Sequence, residues 1–126
     1  MIKNLEQVRA NNALTAARTL KLRAEYVKKI PAMISQNGLL GAMAFALEKG
    51  NHYTSIFSAV LTHLSSDEIR LNLGVNQGAV EDFLLALARQ SSTELRAVTA
   101  ETLAYLNYLR RFGAREEGED VTDNLN

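Results

Sequence analysis

The stretch Leu39-Leu40-Gly41-Ala42-Met43-Ala44-Phe45-Ala46-Leu47 carries no polar side chain, and Glu48-Lys49-Gly50 closes it. Nine successive apolar residues without alternation fit a helix better than a half-buried strand, and a helix lacking a polar side is one that others surround. Small residues at Gly41, Ala42, Ala44 and Ala46 let neighbouring backbones come close. Residues 39–49 are therefore predicted to form the hub of an all-α bundle.

Toward the N-terminus, Asn37-Gly38 supplies a helix stop, since Gly38 can take a left-handed conformation that strains a residue with a Cβ. Pro31 lacks the N–H that a helix interior needs, so the helix must bend or re-form there. Before it, Ala10, Ala13, Leu14, Ala17, Leu20, Ala24 and Val27 recur at steps of three and four. That stripe predicts one long helix or two collinear ones.

Toward the C-terminus, Ile56, Phe57, Val60, Leu61 and Leu64 give a helix over about 52–64. Ser65-Ser66-Asp67-Glu68 has capping-box spacing and predicts a short helix through Leu73, followed by a turn from Gly74 to Gly78. Val80, Phe83, Leu84, Leu87 and Ala88 mark another helix ending near Arg89. Ser91-Ser92-Thr93-Glu94 repeats the capping spacing, although Val98-Thr99 could instead restart the chain, and the last helix carries Leu103, Leu106, Leu109 and Phe112 to about Gly113. No stretch alternates for long enough to suggest a strand. The expected fold is one all-α domain of five to seven helices over residues 1–115, with 116–126 a solvated, unfolded tail.

Composition narrows the function. At 126 residues the chain suits a single core, and 47% hydrophobic against 22% charged residues is the balance of an ordinary globule. The absence of cysteine removes disulfides, thiolate metal sites and cysteine nucleophiles, and it fits a reducing cytoplasm. The uncharged run from Gly38 to Leu47 is about half of the ~20 residues that span a bilayer, so neither a membrane nor an exported protein is expected. His52 and His63 lack a second nitrogen ligand at helical spacing, and no P-loop, dinucleotide fingerprint or nucleophile elbow occurs. No catalytic residue, metal, cofactor or small-molecule substrate is indicated. His63 with Asp67 reads as a surface pair.

Charge is the informative property. Fourteen Lys and Arg balance fourteen Asp and Glu, yet Glu116, Glu117, Glu119, Asp120 and Asp123 all lie in the tail. Without them the body is +5. Arg18, Lys21, Lys28 and Lys29 lie roughly opposite the N-terminal apolar stripe, and Asn107, Arg110, Arg111 and Arg115 are linked by steps of three and four. Two basic patches result, open to reading as solvated surface or as a polyanion contact. A DNA-binding helix-turn-helix over Ile69–Arg89 is a weaker alternative, because Glu81 and Asp82 would face phosphates at the recognition helix.

The segment from Tyr26 through Lys28-Lys29-Ile30-Pro31-Ala32-Met33-Ile34 to Asn37-Gly38-Leu39-Leu40, running on to Leu47, resembles the hallmark of a known family. That family is the small, all-helical subunit of the type III-B (Cmr) CRISPR effector complex. Leu106-Asn107-Tyr108-Leu109-Arg110-Arg111-Phe112, preceded by Thr99 and Glu101, resembles its closing motif, with Tyr108 where tryptophan is frequent. The resemblance implies a non-catalytic protein of antiviral defence that stacks with copies of itself beside the backbone subunits and lines the groove for guide and target RNA. Tethering by partners lets a few phosphate contacts suffice. Lys21, Arg23, Lys28, Lys29, Arg110, Arg111 and Arg115 are the RNA-contact candidates, while Pro31, Asn37 and Gly38 read as structural. A purely architectural helical module without RNA contact is the other alternative.

Overall fold

A computed structural model describes residues 4–75 and 79–115, so the acidic tail expected at 116–126 and part of the Gly74–Gly78 turn lie outside the described residues. Asn4 opens the first helix with a reciprocal cap: its side chain accepts from the Gln7 N–H at 2.8 Å, and the Gln7 side chain accepts from the Asn4 N–H at 3.1 Å. Six helices follow among the described residues: α1 (Leu5–Leu20), α2 (Ala24–Val27), α3 (Ile30–Lys49), α4 (Asn51–Leu64), α5 (Val80–Ala88) and α6 (Ser92–Phe112). The chain is an all-α single domain.

The N-terminal stripe is broken. Lys21 turns left-handed (φ 53°), and residues 22–24 leave the helix to pair with the chain beyond α6. Ala114 N–H donates to Leu22 O at 2.7 Å, and Ala24 N–H donates to Ala114 O at 2.8 Å. Backbone groups that a continuous helix would have satisfied internally are satisfied by this clasp instead. Pro31 then occupies the first turn of α3, where a missing N–H costs nothing, so the helix re-forms there. Gly38 interrupts α3 with φ 79° and ψ 165°, not the left-handed helical values expected but a region essentially reserved for glycine.

The hub is α4, not residues 39–49. α4 packs on all five other helices and buries Ile56, Phe57, Ala59, Val60, Leu61, His63 and Leu64. Within 39–49 only Leu39, Ala42, Met43 and Ala46 are buried, while Ala44 is exposed and Leu40, Phe45 and Leu47 are half-buried. The reason lies in side-chain size: Gly41 and Ala44 offer little apolar area, so leaving that face outward costs little. By length and composition α3 could cross a membrane, at a mean hydropathy of 1.3. Its break at Gly38 and its packing on α4, α5 and α6 make it part of the bundle.

The helix expected after Ser65 does not form. Ser65 Oγ donates back to Leu61 O at 2.7 Å and Ser66 Oγ to His63 O at 2.7 Å, so both hydroxyls finish α4 and neither caps a new helix. Arg70 and Leu73 adopt positive φ, and residues 65–75 are turns. The helix-turn-helix alternative thereby loses its first helix. Ser91 does cap α6, accepting from the Glu94 N–H at 3.2 Å. Val98 and Thr99 lie inside that helix, so the restart does not occur.

Candidate nucleic-acid interface

Three chain segments meet at the C-terminal end of α6. Arg110 and Arg111 occupy its last turn, Lys28 is the C-cap of α2, and Arg115 follows the clasp at Ala114. Gly113 is buried, and a Cβ there would lie 2.8 Å from Ala24 N and 3.0 Å from Ala24 Cα. Only glycine lets the two backbones come this close. Lys28, Arg110, Arg111 and Arg115 then line one cleft of about 240 Å³ with Ala24, and no acidic side chain joins the described lining.

A second cleft continues from the first, sharing Lys28 and Arg110 and adding Pro31, Leu103 and Asn107. A third shares Leu103 and runs past Ala100, Thr99, Arg96 and Leu95 to Gly38 and Leu39. Positions 95/96, 99/100, 103, 107 and 110/111 recur at helical spacing, so the three form one groove along a single face of α6. Four cations line it at the α6 C-terminus, and toward the Gly38 break the lining is mostly apolar with Arg96 among it.

The other cation candidates stand apart from that cleft. Lys21 is exposed at the end of α1, and Arg23 is half-buried and paired with Glu25 at 2.9 Å. Lys29 is exposed and lies over the Tyr26 ring, 5.6 Å from its centroid. Of the structural candidates, Pro31 and Gly38 line the groove and Asn37 is exposed.

A buried polar cluster joins α1, α4 and α6. Glu101 Oε1 accepts from Arg9 Nη2 at 2.7 Å, and Oε2 accepts from Arg9 Nε at 2.8 Å. His63 Nε2 also lies 2.8 Å from Oε2, its Nδ1 lies 3.0 Å from Asn12 Nδ2, and its ring stacks on Tyr105 at 4.1 Å. The partners fix the tautomer: with Asn12 donating to Nδ1, Nε2 carries the proton and donates to Glu101. Burial pushes the His63 pKa down and outweighs the pull of Glu101. Burial also pushes the Glu101 carboxyl up, but hydrogen bonds from Arg9 and His63 together hold it below the ordinary carboxylate range.

The surface pair expected between His63 and Asp67 is thus absent: His63 is 1% exposed and its acidic partner is Glu101. The signal for Glu101 was its place on the buried face of α6, four residues before Tyr105. Among the described residues no group of three His, Cys, Asp or Glu could hold a metal ion.

Comparison with known proteins gives one family match. The model for "CRISPR-associated protein (Cas_Cmr5)" matches residues 5–115. No curated protein and no solved structure matches the chain.

Proposed function

The chain belongs to the CRISPR-associated Cas_Cmr5 family, the small subunits of type III-B complexes, and from that premise we propose that its cationic cleft holds RNA backbone. A CRISPR-associated subunit works with the other subunits of its complex. In this reading the protein is a non-catalytic cytoplasmic component of antiviral defence. It stacks with copies of itself beside the backbone subunits and meets the sugar-phosphate of guide or target RNA.

The supporting observation is the convergence of Lys28, Arg110, Arg111 and Arg115 on one cleft whose described lining holds no acid. Such a cleft attracts phosphate through charge and shape. Lys21, Arg23 and Lys29 become peripheral contacts, since they do not line it.

The test is R110E/R111E assembled into the complex, with target-RNA retention measured across a salt series. Losing two phosphate contacts lowers the slope of log K against log salt by about 1.4 to 1.8. An unchanged slope rejects the assignment. Altered self-association of the same variant without RNA, seen by gel filtration, would assign the arginines to contacts between protein copies instead.

A further inference from the structure

α2 packs against α6, where Lys28 lines the cationic cleft, and also against α4, where it meets a group of aromatic rings. Gly50 (φ 70°) and Asn51 (φ 49°) both take positive φ, so α4 starts from a sharp turn beside the last residues of α3. That turn brings His52 and Tyr53 to Tyr26 of α2 and Phe45 of α3. Tyr53 is the joint: Tyr26 and Phe45 make edge contacts with it, at centroid distances of 5.5 and 5.3 Å. His52 lies flat on Tyr26, 4.2 Å between centroids and 9° from parallel.

Tyr26 and Tyr53 pack on the core, but His52 is exposed, and Tyr26 covers only one face of its ring. The other face is open to solvent. Two exposed ammonium groups flank the rings: Lys29 Nζ is 5.6 Å from the Tyr26 centroid, and Lys49 Nζ is 5.8 Å from that of Phe45. Of the acids next to these residues in the chain, Glu25 is paired with Arg23 at 2.9 Å and Glu48 is exposed. Aromatic faces set among cations are the means by which proteins hold single-stranded nucleic acid, bases stacking while phosphates meet the charges. A base inside a duplex has both faces covered already, so the ligand for such a surface is an unpaired base.

We propose that the open face of His52 stacks an unpaired RNA base, with Lys29 and Lys49 on the phosphates that flank it. The choice of RNA rests on the reading of the cleft above. Lys28 and Lys29, adjacent in the chain, join the two sites into one path for a strand. The cleft holds phosphate by charge, whereas the stack on His52 adds a contact that releases no counterion and that every base can make.

The test uses the full-length protein and two single-stranded ligands of equal length and charge, oligoadenylate RNA and a ribose-phosphate strand without bases. Binding is followed across a salt series by NMR shifts of the protein, which read affinities into the millimolar range. The wild type should bind oligoadenylate more tightly than the baseless strand, and the His52 ring protons should move upfield. His52→Ala should weaken oligoadenylate binding about fivefold or more, and His52→Phe should restore it. Binding of the baseless strand and the slope of log K against log salt should not change in either variant. Equal losses for the two strands, no rescue by phenylalanine, or unshifted His52 ring protons overturn the proposal. Altered self-association of His52→Ala without RNA overturns it too, assigning the rings to a contact between protein copies. If His52→Ala weakens binding while R110E/R111E leaves the salt slope unchanged, the stack stands and the RNA reading of the cleft fails. The reverse pattern retires the stack alone.

Discussion

Replacing Glu101 with glutamine tests the buried polar cluster with almost no change of shape. Three donors converge on the two carboxylate oxygens: Arg9 Nη2 at 2.7 Å on Oε1, and Arg9 Nε and His63 Nε2, each at 2.8 Å, on Oε2. A glutamine offers one oxygen. If it takes the Oε2 position it still accepts from Arg9 Nε and His63, but its NH2 then points at the Arg9 Nη2–H, donor against donor. One charge-assisted bond is lost, worth about 1.5 to 3 kcal/mol, and the attraction between Arg9 and the carboxylate goes with it. Breaking a fully buried pair costs about 3 to 5 kcal/mol. The Arg9 side chain is 22% exposed, so water recovers part of that loss and about 2 to 3 kcal/mol is expected.

For a domain of this size that lowers Tm by roughly 8 to 12 °C at neutral pH. Thermal unfolding followed by circular dichroism measures it. The pH dependence gives a second reading. The folded pKa of Glu101 is depressed, so its contribution is present above its ordinary value of 4.5 and fades as pH falls through the folded value. His63 is held neutral with a pKa below 6.5, so the unfolded chain takes up a proton first, and the wild type loses stability as pH falls below about 6.5. The gap between wild type and E101Q should therefore be widest near neutrality and close in strong acid. A neutral-pH Tm within about 2 °C of wild type, or a gap that does not close, refutes this account of the cluster.

Two glycine substitutions separate backbone strain from crowding. Gly38 has φ 79° and ψ 165° with nothing within 4 Å of a Cβ, so Gly38→Ala and Gly38→Val should each cost about 1 to 3 kcal/mol in urea unfolding, and by similar amounts. A far larger loss for valine would show that packing, not conformation, selects glycine. Gly113 has ordinary angles but backbone atoms of Ala24 at 2.8 and 3.0 Å, so Gly113→Ala should cost about 1 to 3 kcal/mol by overpacking. It should also weaken hydrogen-exchange protection at the Ala24 and Ala114 amides, and retained protection would place the strain elsewhere.

Periodicity read well wherever burial followed it. The helices at 51–64, 80–88 and 92–112 fall close to their apolar stripes because each has one face on the core. It failed at Ser65–Glu68, where capping residues sat at the correct spacing but their hydroxyls had nearer acceptors in the carbonyls of α4. It failed again at Leu39–Leu47, because hydropathy weighs Gly41 and Ala44 as apolar when their burial contributes little. The Lys28–Arg110–Arg111–Arg115 cluster was only half legible: Arg110 and Arg111 share the last turn of α6, but α6 ends at Phe112, so Arg115 is not reached by the expected helical step and joins them, like Lys28, beside the clasp of Ala114 on Leu22 and Ala24. No spacing rule encodes that contact. Glu101 was visible as a motif residue, but its partners Arg9 and His63 lie 92 and 38 residues away.

The cationic cleft needs a cause beyond the stability of the isolated bundle. Arg110 and Arg111 lie in the last turn of α6, where the helix dipole favours a cation by about 0.3 to 1 kcal/mol each. Lys28 gains little of this kind, because α2 is only four residues long. Against the gain stands mutual repulsion. Lys28, Arg110 and Arg111 line one cleft, so their like charges repel one another. Helix capping alone does not account for bringing Lys28 to the same cleft. Gly113 lets the chain after α6 close on the backbone of Ala24, four residues before Lys28. Repulsion turns to advantage only when an anion enters: each phosphate or carboxylate placed among several cations is attracted by all of them at once. The clasp and the glycine follow from backbone hydrogen bonding and the close approach to Ala24; what the proposed anion-binding role adds is a reason for the position of Lys28, where helix capping explains two arginines.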